Sequence, residues 1–122
     1  MRLSAAEARR RLAGARAAHL ATADAGGQPH VVAVTFAVDG DHIFTAVDHK
    51  PKTTANLKRL RNIMENPLVS VLADHYSDDW SDLWWARADG RAAILSGAEE
   101  MAAPITLLTS RYPQYRDARP DG

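Results

Sequence analysis

The run HVVAVTFAV, residues 30–38, constrains the fold more than any other stretch of the chain. β-Branched side chains dominate it and polar residues do not alternate with them, the pattern of a strand covered on both faces. Asp39-Gly40-Asp41 follows and contains the Asp-Gly hairpin signal, so HIFTAV (42–47) is expected to return antiparallel. Ahead of the run, HLAT (19–22) begins a strand, and ADAGGQP (23–29) reads as a turn with paired glycines. LVSVLAD (68–74) adds another strand. LWWARA (83–88) and RAAIL (91–95) are strand-like, with Asp89-Gly90 between them as either a hairpin turn or a bulge in one long strand.

Helices are expected around these strands. Ser4 and Glu7 have capping-box spacing, which predicts a helix from about Ala5 with Leu12 on its apolar side and Gly14 loosening its end. A second helix is predicted over Thr54–Glu65, with Leu57, Leu60 and Met64 as its buried stripe, Arg61 paired with Glu65 at i+4, and Asn66-Pro67 as its stop. Residues 96–115 read as mostly helical with a break at Pro104, and the tail RDARPDG reads as a linker or a cut end. Helix, three strands, helix, two or three strands and helix make an α+β domain built on a small antiparallel barrel. At 122 residues the chain is expected to be one domain, 1–122.

The balance of charge narrows the function. Fifteen basic and fifteen acidic side chains cancel, so no global field draws the chain to nucleic acid or to an anionic membrane. No stretch approaches the roughly 20 apolar residues of a membrane span, and the N-terminus lacks the apolar run of a signal peptide. There are no cysteines, which removes disulfides and thiolate chemistry and fits a reducing cytoplasm. No Gly-x-Ser-x-Gly elbow, Walker loop or Gly-x-Gly-x-x-Gly is present. His19, His30, His42, His49 and His75 fall on different elements without metal-ligand spacing; His75 with Asp74, Asp78 and Asp79 of the acidic loop is the one metal set that can be drawn, and no metal is expected. With these machineries absent, no catalytic residue is assigned, and a bound cofactor is expected to supply any chemistry.

HKPKTTANLKRLRNI (49–63) is where such a cofactor is expected to bind. It holds all three lysines of the chain, Lys50, Lys52 and Lys58, with Arg59 and Arg61 and no acid among them. Pro51 keeps Lys50 extended, so Lys50 and Lys52 should reach to one side. Thr53 or Thr54 then caps the helix and leaves free N–H groups at its start. Two ammonium groups beside a helix N-terminus suit a phosphate or carboxylate. His49 stands next to them, whereas Lys58, Arg59 and Arg61 are expected on a solvated helix face. Trp84 and Trp85 are adjacent on a strand, so one ring should point into the core and the other outward, to be covered by a ligand, a second subunit or the C-terminal helix.

The succession LATADAGGQPHVVAVTFAVDGDHIFTAVDHKPK, a helix, NPLVSVLAD and WWARADGRA resembles the pyridoxamine 5'-phosphate oxidase-like split β-barrel family, from about residue 12 to 117. Its strings are similar to those of a small actinobacterial branch of coenzyme F420-dependent oxidoreductases. The resemblance implies an antiparallel split β-barrel of the FMN-binding type with peripheral helices. It implies a homodimer, with cofactor in grooves between the barrels. It implies that Lys52, with Lys50, binds the cofactor phosphate, and that Ala33, Val34, Thr35, Thr45 and Ala46 lie along the ring. Hydride transfer between the deazaflavin and an unsaturated small molecule is the implied reaction. FMN is the alternative cofactor; oxidase-type FMN users carry basic residues on the strand matching HVVAVTFAV, and this strand has none. A non-catalytic module binding flavin, deazaflavin or haem is the alternative function. Relatives continue past the last helix into another strand, so a sequence ending at Gly122 is expected to lack it.

Overall fold

The computed structural model describes residues 3–46 and 54–116. Helix α1 (Ala5–Gly14) starts as its capping box predicts: the Ser4 Oγ accepts the Glu7 N–H at 3.1 Å. Glu7 in turn accepts from Arg11 Nε at 2.7 Å and from Arg10, and these guanidinium contacts, Arg11 foremost, hold its pKa below the ordinary carboxylate range. Strands β1 (Ala18–Ala23), β2 (Pro29–Val34), β5 (Leu68–His75) and β6 (Trp84–Arg91) form an antiparallel sheet in the order β2-β1-β5-β6. Strands β3 (Ala37–Asp39) and β4 (His42–Phe44) form a separate two-stranded sheet. With helices α2 (Thr54–Glu65) and α3 (Ala98–Arg111), the described residues make a mixed α+β fold with antiparallel sheets.

The register sorts the side chains of the larger sheet into two faces. Ala18 opposes Val34, Leu20 opposes both Val32 and Val71, and Ala73 opposes Ala86. These side chains share the inner face and close with Leu12 and Phe36 into the main core. The outer face carries Val31, Leu68 and Trp85, each roughly 60% exposed. Trp84 points inward beside the core, with the Arg11 guanidinium 5.6 Å from its ring, and Trp85 points outward as period two requires. The C-terminal helix leaves the Trp85 ring 62% exposed.

Four expectations change. HVVAVTFAV is not one strand: it leaves the larger sheet after Val34 and enters the smaller one at Ala37. The switch turns on Phe36, which is 0% exposed and whose backbone N–H and C=O both meet the Tyr112 hydroxyl, at 3.2 and 3.0 Å. A buried peptide satisfied by a side chain needs no strand neighbour, so the ladder can end there. Asp89-Gly90 is neither hairpin nor bulge. Ser70–Asp89, Val69–Gly90 and Leu68–Arg91 pair in unbroken register, and the strand stops at Arg91, so RAAIL does not extend as a strand.

Helix α2 docks by a polar face. Of the expected apolar stripe, Met64 is 77% exposed, Leu60 is half-buried and the Leu57 side chain lies outside what the structure describes, whereas Asn62 is fully buried and Arg59, expected in water, is 6% exposed. Asn62 Nδ2 donates to Thr22 Oγ1 at 3.0 Å, Lys58 Nζ lies 3.8 Å from Asp24, and Glu65, rather than pairing with Arg61, accepts the Ala25 N–H at 3.1 Å. Residues 58, 62 and 65 lie on one helical stripe, and it grips β1 and the β1–β2 turn. Finally, Pro104 does not break α3. An interior proline costs about 3 kcal/mol; burying Leu108 and Tyr112 (1% and 5% exposed) on the same helix end offsets it by about 1.5–3 kcal/mol for a side chain of leucine size.

The hairpin after HVVAVTFAV holds, with Gly40-Asp41 as its loop, and the returning strand, expected over 42–47, ends at Phe44. Asp39 pairs with His42, leaving two connecting residues, and Gly40 takes φ +60°, the conformation a tight hairpin asks of its first turn residue. No helix among the described residues is long and apolar enough to cross a membrane.

Candidate functional site

The site grows from the place where the chain changes sheets. Leaving β2, Thr35 presents its hydroxyl to Tyr115 Oη at 2.6 Å. Its carbonyl accepts from Thr45 Oγ1 at 2.7 Å, so the two threonines, on either side of the β3–β4 hairpin, are fastened together. Ala46 follows and packs with Ala37, Leu108 and Tyr112 in a second small core. The segment carrying the lysines runs directly from there to α2.

Tyrosines at the end of α3 complete the arrangement. The Tyr112 hydroxyl lies 3.0 Å from the carbonyls of both Arg16 and Phe36, which ties α3 to the start of β1 and to the sheet switch. Tyr115 packs edge-on to Tyr112, ring centroids 6.0 Å apart. The Arg16 guanidinium stacks 4.9 Å from the Tyr112 ring and donates to the Arg111 carbonyl at 3.1 Å. Arg111 stacks 4.7 Å from Phe36 and donates to the Ala15 carbonyl. A cavity of about 390 Å³ opens between Arg16, Thr35, Tyr112, Gln114 and Tyr115. Arg59 is buried beside Tyr115; burial pushes its pKa down and the phenol opposes that shift.

A larger hollow of about 620 Å³ lies elsewhere, on the outer face of the sheet. Its floor is Ala21 and Ala23, its rim Pro29 and Leu68, and Asp89 at one side is taken up by Ser70 Oγ at 2.6 Å and Arg87 Nε at 3.1 Å. It sits at the opposite end of β1 and β2 from Thr35, and its surface is mostly apolar, with Ser70, Asp89 and Arg91 gathered at one side rather than converging on the space. The smaller, donor-rich cavity is the better candidate.

Of the residues singled out from the sequence, Thr35, Thr45 and Ala46 come together here. Ala33 ends exposed on the outer face, and Val34 buries its side chain in the core, leaving its backbone alone for a ligand. Thr54 opens α2. His49, Lys50, Lys52 and Thr53 lie outside the described residues. Arg16, Tyr112, Gln114 and Tyr115 were not singled out; the signal was RYPQY, two tyrosines three apart just past a helix end, where hydroxyls reach other elements. Among the described residues no group of three or more His, Asp or Glu is placed to hold a metal, so His75, Asp74, Asp78 and Asp79 do not assemble one. Asp79 instead caps a 3-10 turn (Trp80–Asp82), accepting from the Ser81 hydroxyl and N–H, which lower its pKa.

Among solved structures the chain is similar to an FAD-binding protein from Mesorhizobium loti: TM-score 0.75, 26% identity, 94% of this chain and 77% of that one. It is similar in fold to the haem storage protein HutZ from Vibrio cholerae, at TM-score 0.72 and 20% identity over 100% of this chain and 92% of that one. A haem-binding protein from Mycobacterium smegmatis matches at TM-score 0.68 and 26% identity, over 96% of this chain but 47% of its own length. No curated protein matches. The sequence matches the family described as "Pyridoxamine 5'-phosphate oxidase" over residues 4–121. A match over nearly its whole length shows that the chain belongs to the pyridoxamine 5'-phosphate oxidase family.

Proposed function

We propose that this protein is a cytoplasmic coenzyme F420-dependent oxidoreductase of the split β-barrel type, working as a homodimer on an unsaturated small molecule. One observation carries the reading: Thr45 is bonded to Thr35, which lines a cavity beside Tyr115, just before the lysine segment of the chain. Such a setting suits a flat, polar ring. Lys50 and Lys52, with Thr53, Thr54 and His49, would hold the cofactor phosphate. Ala33, the Val34 backbone, Thr35, Thr45 and Ala46 would line the ring, the small alanines leaving room for a plane. When bound, the deazaflavin would supply hydride chemistry. The chain's own residues bind, orient and exclude water. Exposed Val31, Leu68 and Trp85 on the outer face would be covered by the second subunit.

Titrating the purified protein with oxidised coenzyme F420 and following its fluorescence tests this; a saturable change at low micromolar concentration is expected, and a flat titration would sink it. Lys52→Ala should cost about 1.5–3 kcal/mol of coenzyme binding, one charge-assisted contact. Likeness to haem- and FAD-binding proteins at 26% identity favours a second reading, a non-catalytic carrier of flavin, deazaflavin or haem. An FMN-dependent oxidase is the third. Tight coenzyme binding without turnover of enones or quinones separates the carrier from the enzyme, and preferential binding of FMN identifies the third.

A further inference from the structure

The cavity beside Thr35 is surrounded by positive charge that the described residues do not neutralise. The ion pairs among them are Arg9–Asp41, Arg10–Glu7, Arg11–Glu7, Lys58–Asp24 and Arg87–Asp89. Arg16, Arg59 and Arg111, the three guanidiniums around Tyr112 and Tyr115, appear in none of them. Arg16 and Arg111 are held instead by aromatic faces and backbone carbonyls, which fix a guanidinium in place without cancelling its charge, and Arg59 is buried beside Tyr115. Arg16 spends one N–H on the Arg111 carbonyl and lines the cavity with further donors that no described residue takes up. Gln114 adds an exposed amide, and the Thr35–Tyr115 hydroxyl pair shares one hydrogen bond and keeps a second proton to donate. Among the described residues no carboxylate lines the space. A volume of about 390 Å³ falls within the range of small-molecule sites.

We propose that this cavity is an anion-binding site for the carboxylate of a small unsaturated organic acid, with Arg16 as the charge partner and Gln114 and the Thr35–Tyr115 pair as orienting donors. The acid's identity as the substrate rests on the oxidoreductase reading above; the anion site stands on the cavity alone. The tyrosine faces give the rest of such a molecule an apolar surface.

The test uses the full chain, isotopically labelled and free of coenzyme, followed by amide NMR during titration with trans-cinnamate and, separately, with its uncharged isostere cinnamamide. Cinnamate should move the signals of Arg16, Thr35, Gln114 and Tyr115 and bind about tenfold or more tighter than the amide, the worth of one charge-assisted contact. Arg16→Gln should remove that preference. Gln114→Glu, an exposed position where folding is not at risk, should weaken cinnamate about tenfold by like-charge repulsion. Equal binding of acid and amide, signals moving elsewhere, or an indifferent Gln114→Glu variant would overturn the site. Inorganic phosphate displacing cinnamate at equal concentration would overturn the assignment to an organic acid. Cinnamate binding without coenzyme uptake rejects the coenzyme reading and keeps the anion site; coenzyme uptake without cinnamate binding does the reverse.

Discussion

The core beneath the four-stranded sheet and the tyrosine–arginine cluster at the end of α3 are fastened by different physics. Leu12, Leu20, Val34, Val71, Ala73 and Ala86 are held by removal of area from water, which has no direction and tolerates exchange of one apolar side chain for another. Tyr112, Tyr115, Arg16 and Arg111 are held by hydrogen bonds and stacked rings, which have direction and fail one contact at a time. The first region sets whether the chain folds. The second sets where Thr35, Gln114 and the guanidiniums stand, and it borders the cavity.

Substitutions can break or sharpen this contrast. Phe36 belongs to both regions, so Phe36→Ala should have the largest effect: about 3–5 kcal/mol lost in denaturant unfolding, from the buried ring. Leu20→Ala, purely within the sheet core, should cost about 2–5 kcal/mol and leave cinnamate's preference over cinnamamide unchanged in whatever folds. Tyr112→Phe keeps the ring and removes only the hydroxyl that serves Phe36 and Arg16, at a cost of about 1–3 kcal/mol. Tyr115→Phe, at a part-buried contact, should cost about 1 kcal/mol of stability yet weaken cinnamate binding. If Tyr112→Phe proved as costly as Leu20→Ala with no change in ligand binding, the two regions would not differ as described.

Acid should touch neither region first. Glu7, Asp24 and Asp79 cap or turn the chain outside both. Each has a depressed pKa: Glu7 chiefly through the Arg11 hydrogen bond, Asp24 through the Gln28 N–H and Asp79 through the Ser81 hydroxyl. The folded state therefore binds these protons more weakly than the unfolded chain. Their contribution is present above the unfolded pKa and is lost as pH falls through the folded value, below about pH 4. Melting temperature should decline on acidification through that window, modestly because all three groups are at the surface; a rise would contradict the assignment.

What the sequence made legible is what is local. Ser4 and Glu7, Asp39-Gly40, and the alternation of Trp84 and Trp85 act over two to four residues, and each behaves as its chemistry dictates. The division of HVVAVTFAV was hidden, because its cause is a hydroxyl 76 residues away. Part of the docking face of α2, Met64 against Asn62 and Arg59, was misread for a similar reason. Leu57, Leu60 and Met64 form the more apolar stripe, but Thr22, Asp24 and Ala25 offer polar partners that only the tertiary arrangement brings opposite positions 58, 62 and 65. At the candidate site, Thr35 and Thr45 were named through resemblance, whereas Arg16 and Tyr115, far apart in the chain, were not.

The Tyr112 hydroxyl also bears on time. Its partners, Arg16 and Phe36, are 96 and 76 residues away along the chain, whereas the β3–β4 hairpin closes over two residues. Closing a long loop carries the larger entropic cost, and that cost must be met before the contact returns anything. A chain emerging from the ribosome can pair the β3–β4 hairpin early, but the cavity has no wall until residue 115 is free. Recognition of the proposed ligand would then wait on that wall, and a bound acid or cofactor would act as a clasp on the turn Pro113–Arg116.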